Sequence, residues 1–144
     1  KIVGINSRLD SLNAFVLNEK LKIFNKISKT RNNFYEYYMD NLSECEFIKL
    51  PKKENSNILF NYFTISINEN KRNKLMDYLS INGISTSIYY KTPIHLLPAL
   101  KFMNKSFKLD ETVNASKTVL SLPFYPFAKK SEMEIVVEKI LNFS

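Results

Sequence analysis

The sequence predicts an α/β domain in which a small sheet is covered by helices and preceded by a long helix. Two kinds of pattern support this prediction. Apolar residues recur at helical spacing over the first third of the 144-residue chain, and a later segment alternates apolar and polar residues as a half-buried strand does. Helical and strand patterns then follow one another in turn, which favours helices layered on a small sheet.

The long helix is predicted over about residues 8–42. No Gly or Pro interrupts it, but residues 25–33 are weakly apolar, so the pattern allows one helix or two helices with a bend. The aromatic cluster at residues 34–38 is expected to pack against the sheet rather than to stack on bases. One apolar stripe contains Leu17, Leu21, Phe24, Tyr35, Tyr38 and Leu42, and a neighbouring stripe contains Leu9, Leu12 and Val16.

The middle of the chain is predicted to form a strand followed by a helix. A short extended piece at residues 47–50 and a polar loop at 51–57 lead into the clearest strand, at 58–67. An amphipathic helix is expected over 69–82. Gly83 then stands at its C-terminal cap, where a left-handed backbone conformation is needed.

The last part of the chain continues the alternation of strands and helices. Asp110 is expected to cap the helix that it starts, and Ser131 is expected to cap the final helix with Glu134 as the other half of a capping box. The elements are a strand at 84–90, an irregular loop between Pro93 and Pro98, a helix at 110–118, a strand at 119–122 ended by Pro123, and the final helix.

Composition excludes several classes of function. The two glycines rule out a dinucleotide fingerprint or a P-loop within the chain, and one His with one Cys cannot make a zinc cluster. Cys45 excludes an internal disulfide and is interpreted as a bystander in a reducing, cytoplasmic compartment. No run has the length of a membrane span, and no signal-peptide pattern is present.

The formal net charge of +7 comes mainly from lysines that are dispersed along the chain. A solvated basic surface is the favoured interpretation over nucleic-acid binding, because no dense arginine block and no recognised nucleic-acid motif accompany the charge. Such a surface also attracts anionic substrates, for example nucleotide sugars. We therefore expect neither a nucleic-acid partner nor a membrane partner.

The turn at residues 4–8 is the first candidate site. It places the Asn6 amide and the Arg8 guanidinium beside the start of the long helix, where free backbone N–H groups favour an anion such as phosphate or carboxylate. An ordinary helix entry with Asn6 or Ser7 as N-cap is the competing and more frequent explanation. Because the chain opens directly on this turn, it is expected to be part of a larger protein.

Three further places could contribute to a site. Tyr89, Tyr90 and Lys91 follow a predicted strand, where side chains emerge into a crevice. His95 lies in the loop between prolines, where a lone histidine more often serves as a structural hydrogen-bonding group than as a catalyst. The turn at residues 122–126 is expected to have a packing role. No catalytic triad or carboxylate pair can be assigned from the spacing.

Taken together, the ordered motifs resemble the DegT/DnrJ/EryC1/StrS family of pyridoxal-phosphate-dependent sugar aminotransferases. The similarity covers nearly the whole chain, in the order and spacing of the family, and is greatest to members that aminate 3-keto nucleotide sugars such as UDP-2-acetamido-3-keto-glucuronate. The motifs are Gly4-Ile5-Asn6-Ser7-Arg8-Leu9-Asp10, Ala14, Val16-Leu17-Asn18-Glu19-Lys20-Leu21, Arg31, Gly83-Ile84-Ser85-Thr86-Ser87-Ile88-Tyr89-Tyr90, Pro93-Ile94-His95-Leu96-Leu97-Pro98-Ala99 and Leu120-Ser121-Leu122-Pro123.

The resemblance implies the fold of type I aminotransferases. Residues 1–42 would be an interdomain helical segment that includes the Asn-x-Arg turn, and residues 43–144 would be the C-terminal small α/β domain. The large domain, with the pyridoxal 5′-phosphate pocket and the Schiff-base lysine, would lie upstream. None of the lysines of this chain matches that lysine's motif, so the chain alone is expected to be unable to transaminate.

The resemblance also implies an activity and a set of site residues. The whole enzyme would transfer an amino group from a donor, expected to be glutamate, to a UDP- or dTDP-linked 3-keto sugar for surface polysaccharide or glycan biosynthesis. It would be a homodimer with shared active sites, in which Asn6 contacts the cofactor phosphate of the neighbouring subunit. Arg8 would contact the anionic part of the substrate, and Tyr89, Tyr90 and His95 would line the substrate side of the pocket.

The sequence departs from the family pattern at four positions. These departures bear on the identity of the substrate more than on membership of the family. Asn13 stands where glutamine is usual, Phe15 replaces a small residue, Lys91 replaces a common proline, and Leu97 replaces a frequent glutamine. A non-catalytic regulatory or binding domain with the same fold is the alternative. Retention of Asn6 and Arg8 favours catalysis, because a purely structural turn needs neither side chain.

Overall fold

The computed structural model describes residues 7–52, 59–103 and 108–143. Four helices and three strands form an α/β domain, as the sequence predicts. The sheet is antiparallel throughout, in the order β1-β2-β3. The elements are α1 (Ser11–Leu42), β1 (Ile48–Lys49), β2 (Phe63–Ile67), α2 (Glu69–Ile81), two short 3-10 helices (Ile94–Leu96 and Pro98–Met103), α3 (Asp110–Thr118), β3 (Val119–Leu122) and α4 (Lys130–Leu141).

The alternation of residues in β2 gives the sheet one apolar and one polar face. Phe63, Ile65 and Ile67 are buried, whereas Thr64 and Ser66 between them are only half-buried. Successive side chains of a strand point to opposite faces, so the three apolar residues share the face that carries the core. Their neighbours in the core come from α1, α2, β3 and α4, and include Tyr38, Leu42, Leu75, Leu79, Leu120, Met133 and Ile140.

Helix α1 is a single element of 32 residues, so the alternative of two helices does not apply. Only its C-terminal part is buried, where the predicted aromatic packing is confirmed. The ring centroids of Tyr38 and Phe63 lie 4.8 Å apart, and those of Tyr35 and Phe63 lie 5.6 Å apart. The hydroxyl of Tyr38 donates a hydrogen bond of 2.8 Å to the carbonyl oxygen of Pro123, which ties α1 to the segment after β3.

Two predicted strands are shorter than the sequence suggested. β2 begins at Phe63 rather than at residue 58, of which the structure gives no description, and residues 84–90 contribute only a single bridge between Ser87 and Ser121. For β2 the cause lies in β3, which pairs Leu122 with Phe63 and is followed by Pro123. Proline has no N–H to donate to a ladder, so the pairing of β2 with β3 stops there.

The predicted helix starts are also corrected. α1 begins at Ser11 with Asp10 as N-cap, in place of Asn6 or Ser7. α3 is preceded by Leu109, which makes no side-chain cap, and Asp110 is its first helical residue. A residue can act as N-cap only at the position where the backbone changes from an extended to a helical conformation. The sequence pattern does not locate that position to the residue.

Helix α4 begins at Lys130, so Ser131 is inside the first turn and Glu134 is not the capping acid. Glu132 takes that role, because its Oε2 accepts a 2.7 Å hydrogen bond from the Lys129 N–H and a 3.0 Å bond from the Tyr125 hydroxyl. These two bonds, that to Lys129 first, lower the pKa of Glu132.

Gly83 has the left-handed conformation that its position predicts, with φ of +75°. Its N–H donates to the Ser80 carbonyl at 3.0 Å, and the Ile84 N–H donates to the Leu79 carbonyl at 2.8 Å. These two bonds form the Schellman arrangement that satisfies the last carbonyls of a helix. Ile84 is buried, so the turn also delivers the following segment to the core.

Replacing Gly83 by Ala tests this turn. The space around a Cβ atom is open, so the cost comes only from the left-handed backbone and should be about 1–2 kcal/mol in the free energy of unfolding. Gly83→Asn is the matched control, since asparagine tolerates this conformation better, and it should lose less. Urea denaturation of the three proteins gives the comparison. Equal losses in the two variants would contradict the explanation.

Replacing Tyr38 by Phe tests the bond to Pro123. The variant leaves the carbonyl without its donor and should lose about 1–2 kcal/mol at neutral pH. Burial raises the pKa of Tyr38 above its usual 10.0. The contribution of the protonated hydroxyl to the free energy of unfolding is therefore fully present below pH 10. Above pH 10 the free energy of unfolding falls by about 1.4 kcal/mol per pH unit.

The stability difference between wild type and Tyr38→Phe should consequently shrink between pH 10 and 11, because phenylalanine has no proton to lose. Urea denaturation across this range measures the difference. Phe34→Leu, on the same helix, changes no titratable group, so it is the control and should keep a constant difference from wild type. A stability difference between wild type and Tyr38→Phe that stays constant with pH would show that Tyr38 is not the titrating group.

Candidate functional site

The approach to α1 carries the candidate anion site. Asn6 lies outside the described residues, so its role stays a prediction. Arg8 is exposed and makes no hydrogen bond or ion pair with any other described residue. Its guanidinium therefore keeps its full capacity to bind a carboxylate or phosphate.

Asp10 changes the expectation that the helix end itself holds an anion. Its Oδ1 accepts a 2.9 Å hydrogen bond from the Asn13 N–H, which lowers the pKa of Asp10 and keeps the carboxylate charged. A carboxylate at this place satisfies a free amide of the helix and repels a second anion from it. The end of α1 is therefore a less favourable place for an anion than the sequence suggests.

Tyr89 and Tyr90 form an aromatic ridge that begins two residues beyond the Ser87 bridge. The Tyr89 ring lies 4.5 Å from the ring of Tyr62, which directly precedes β2, and 5.5 Å from the ring of Tyr90. Tyr90 is the more exposed of the two. Tyr62 and the bridge at Ser87 therefore hold Tyr89, while Tyr90 stands free towards solvent.

The ridge separates two hollows. The hollow on the Tyr90 side has a volume of about 260 Å³ and is closed on its far side by α3. This volume is just below the roughly 300–1,000 Å³ of complete ligand sites, so the hollow fits one part of a larger ligand. No charged residue lines it within the part of the chain that the structure describes. Its lining is Tyr89, Tyr90, Thr92, Pro93, Ile94, Thr112, Ala115, Ser116 and Val119.

The hollow on the Tyr62 side has a volume of about 190 Å³ and is lined by the hydroxyl residues Ser85, Ser87 and Ser121, which the sequence analysis missed. Thr64 and Ser121 are paired across β2 and β3, and their hydroxyl oxygens lie 2.8 Å apart. Ser87 is paired with Ser121 in turn. Directly opposite residues share a face of the sheet, so Thr64, Ser121 and Ser87 form a row.

His95 lies apart from both hollows. It occupies the short 3-10 helix Ile94–Leu96 and is half-buried, but it lines neither cavity, although its neighbour Ile94 does. Arg8 likewise lines neither hollow. The structure thus brings Tyr89 and Tyr90 together, and the binding roles predicted for Arg8 and His95 stay predictions.

Arg72 is a second residue that sequence reasoning missed. Its side chain is 6% exposed, and its Nη1 donates to the carbonyl oxygens of Ser116 and Val119, both at 3.4 Å. Both acceptors line the Tyr90 hollow. Arg72 therefore joins α2 to the junction of α3 and β3, where an arginine also suits the negative end of a helix. From the sequence alone, an arginine in an amphipathic helix is expected on the solvent-exposed face.

Other groups give no sign of a reactive centre. Burial raises the pKa of the Cys45 thiol, which keeps it protonated and unreactive. Among the described residues, no set of His, Cys, Asp and Glu side chains is arranged to hold a metal ion. The same part of the chain contains no helix that combines the length and the apolar character of a membrane span.

Comparison with known proteins identifies the family. Residues 1–141 match the DegT/DnrJ/EryC1/StrS aminotransferase family, and the chain belongs to it. It is 33% identical over 146 residues to a pleiotropic regulatory protein of Geobacillus stearothermophilus, covering 99% of this chain and 39% of that protein. It is 29% identical over 140 residues to the UDP-2-acetamido-2-deoxy-3-oxo-D-glucuronate aminotransferase of Pseudomonas aeruginosa, covering 97% and 38%.

The fold agrees with this assignment. The structure superposes with a TM-score of 0.87 on S. venezuelae DesV in complex with a ketimine intermediate, at 27% identity, covering 97% of this chain and 38% of that one. The chain thus spans less than two fifths of the length of the relatives that it matches. The fold is that of the corresponding part of these aminotransferases, as the resemblance implied.

A double-mutant cycle tests the contact that shapes the aromatic ridge. Tyr62→Leu and Tyr89→Leu should show a coupling of about 0.5–1.5 kcal/mol in the free energy of unfolding, because the rings are in direct contact. The matched cycle uses Tyr89 and Tyr125, which share no ring contact in the described part of the chain, and its losses should add. Additive losses for Tyr62 and Tyr89 would show that the ridge is not held by this pair.

Proposed function

We propose that the protein to which this chain belongs is a pyridoxal-phosphate-dependent transaminase that aminates a UDP- or dTDP-linked 3-keto sugar, with glutamate as donor. The family match over residues 1–141 is the observation that carries the proposal. Residues 1–42 are proposed to connect the large domain to a small domain formed by residues 43–144. The Schiff-base lysine is proposed to lie outside this chain, which on its own would not transaminate.

The cofactor phosphate is proposed to bind Asn6, which lies outside the described residues, in the turn before α1. Arg8, two residues further on, is exposed and has no partner among the described residues, so it adds positive charge to this turn. Asp10 disfavours a phosphate on the axis of α1, so the turn rather than the helix end is the proposed contact. Pyridoxal phosphate, when bound, supplies the electron sink for the transfer, and the protein orients it and excludes competing reactions.

The side chains of this chain are proposed to bind and orient the substrate. The uncharged hollow beside Tyr90 suits a sugar ring, which presents hydroxyl groups and an apolar face to aromatic and hydroxyl side chains. Arg8 suits the anionic part of the substrate, and a uronate carboxylate matches the two-pronged geometry of a guanidinium. His95 is proposed to contribute to substrate binding through the loop that it shares with Ile94, which lines the hollow beside Tyr90.

The proposed enzyme is a cytoplasmic homodimer with shared active sites that serves polysaccharide or glycan biosynthesis. The second subunit matters because the turn with Asn6 and Arg8 would then complete the cofactor site of its neighbour. The relative from Pseudomonas aeruginosa, named for a 3-oxo-glucuronate substrate, supports the sugar class.

A regulatory protein with the same fold is the second candidate, and one observation favours it. A relative at 33% identity carries the name of a pleiotropic regulatory protein. An absorbance spectrum of the full-length protein with pyridoxal phosphate separates the candidates. The enzyme should bind the cofactor covalently and lose that absorbance band when glutamate is added. A protein that binds no cofactor, or ignores glutamate, would support the regulatory candidate.

Arg8→Lys in the full-length enzyme tests the substrate assignment. Lysine keeps the charge but not the fork, so kcat/KM for a keto-uronate substrate should fall by about tenfold or more. The matching 6-hydroxy sugar nucleotide has no carboxylate and should be affected little. Steady-state assays of both proteins with both substrates give the comparison. Equal losses would mean that Arg8 serves the cofactor or the fold instead.

A further inference from the structure

Helix α3 forms one wall of the hollow beside Tyr90, but its own side chains do little to hold it in place. It contributes Thr112, Ala115 and Ser116 to the lining. None of its nine residues is buried. A helix of this length is marginal in water by itself, and helices in proteins depend mainly on a buried apolar face. The position of this wall therefore depends on the contacts at the ends of α3.

The opposite wall of the hollow is fixed independently of α3. It is formed by Tyr89, Tyr90 and the segment that follows them. The ring of Tyr89 lies 4.5 Å from the ring of Tyr62, and the bridge between Ser87 and Ser121 ties the same segment to β3. Because this wall is held by the sheet, the width of the hollow is set by where α3 lies.

Arg72 of α2 holds the C-terminal end of α3. The chain is already extended at Val119, so the Ser116 carbonyl lies among the last carbonyls of α3, which have no partner within the helix. The Nη1 atom of Arg72 donates to this carbonyl and to that of Val119, both at 3.4 Å. These are the side-chain hydrogen bonds of Arg72 within the described part of the chain, where its Nε has no partner. The guanidinium is thus committed to the junction of α3 and β3.

Charge explains why a buried arginine is stable at this place. Arg72 is the fourth residue of α2 and lies near the positive end of that helix, which disfavours a cation. The negative C-terminal end of α3 offsets this effect, because its last carbonyls carry partial negative charge. Arg72 is only 6% exposed, so water has little access to replace it as a donor. Loss of the guanidinium should therefore release the end of α3.

We propose that Arg72 is a positioning residue for the substrate, because by holding the end of α3 it sets the width of the hollow beside Tyr90 and the affinity for a sugar ring. Arg72 does not line the hollow itself, and it acts through Ser116 and Val119, which do. The proposal rests on the proposed function, which places the sugar ring in this hollow. Glutamate has no sugar ring, so its binding should not depend on Arg72.

Two half-reactions of the full-length enzyme separate this role from a general loss of stability. Glutamate and the UDP- or dTDP-linked 3-amino sugar that the enzyme forms should each abolish the absorbance band of the bound cofactor when they donate their amino group. Arg72→Met should raise the half-saturating concentration of the sugar nucleotide by about tenfold and leave that of glutamate unchanged. Arg72→Lys keeps the charge but not the planar fork, so its value should lie between those of wild type and Arg72→Met.

Tyr78→Leu is the matched control on α2. The ring of Tyr78 lies 5.5 Å from the ring of Phe143, beyond α4, and the variant should change neither half-saturating concentration. If Arg72→Met shifts the values for both substrates equally, or shifts neither, the proposal is overturned.

Hydrogen exchange gives a readout that needs no activity. Arg72→Met should speed amide exchange at the C-terminal end of α3 and leave α4 unchanged, whereas Tyr78→Leu should leave α3 as it is in wild type. Unchanged exchange in α3 of Arg72→Met would overturn this inference alone and leave the proposed function standing. A wild-type protein that binds the cofactor but reacts with no sugar nucleotide would instead overturn the proposed function, and the substrate role of Arg72 with it.

Discussion

The buried side chain of Tyr38 is the constraint on which the domain depends. Its ring packs on Phe63 of β2, and its hydroxyl bonds to the carbonyl of Pro123 directly after β3. One residue of α1 therefore fixes the helix against the central strand β2 and against the segment that follows β3. Tyr62 directly precedes Phe63, and Leu122 directly precedes Pro123. The geometry of the aromatic ridge, which Tyr62 supports, therefore follows from the position of Tyr38.

Pro123 has a second consequence, which explains what the sequence could and could not predict. The period of β2 and the left-handed Gly83 follow from local patterns, and both are present, whereas the pattern of α1 left one helix or two open. The extent of pairing depends on how far the partner strand continues, which no local pattern records. Because β3 stops before Pro123, β2 begins only at Phe63, while residues 84–90 keep the single bridge between Ser87 and Ser121.

The candidate site was predictable only where a motif carries it. Tyr89 and Tyr90 are predicted because they end a predicted strand and belong to a family motif, and the structure places them on a common ridge. The hydroxyl row could not be found, since Thr64, Ser121 and Ser87 become neighbours only through strand register. The burial of Arg72 likewise depends on the packing of α2 against α3, and a helix sequence gives no sign of it.

The cations of the chain lie outside both hollows as far as the structure describes them. Neither hollow contains a charged lining residue among the described residues, although the chain has a net charge of +7. Moving a phosphate into an uncharged hollow would cost several kcal/mol of hydration without a compensating cation. Both hollows are therefore suited to neutral groups. An anion would be bound more readily at an exposed cation such as Arg8 than in either hollow, and the Asp10 carboxylate disfavours a second anion at the end of α1.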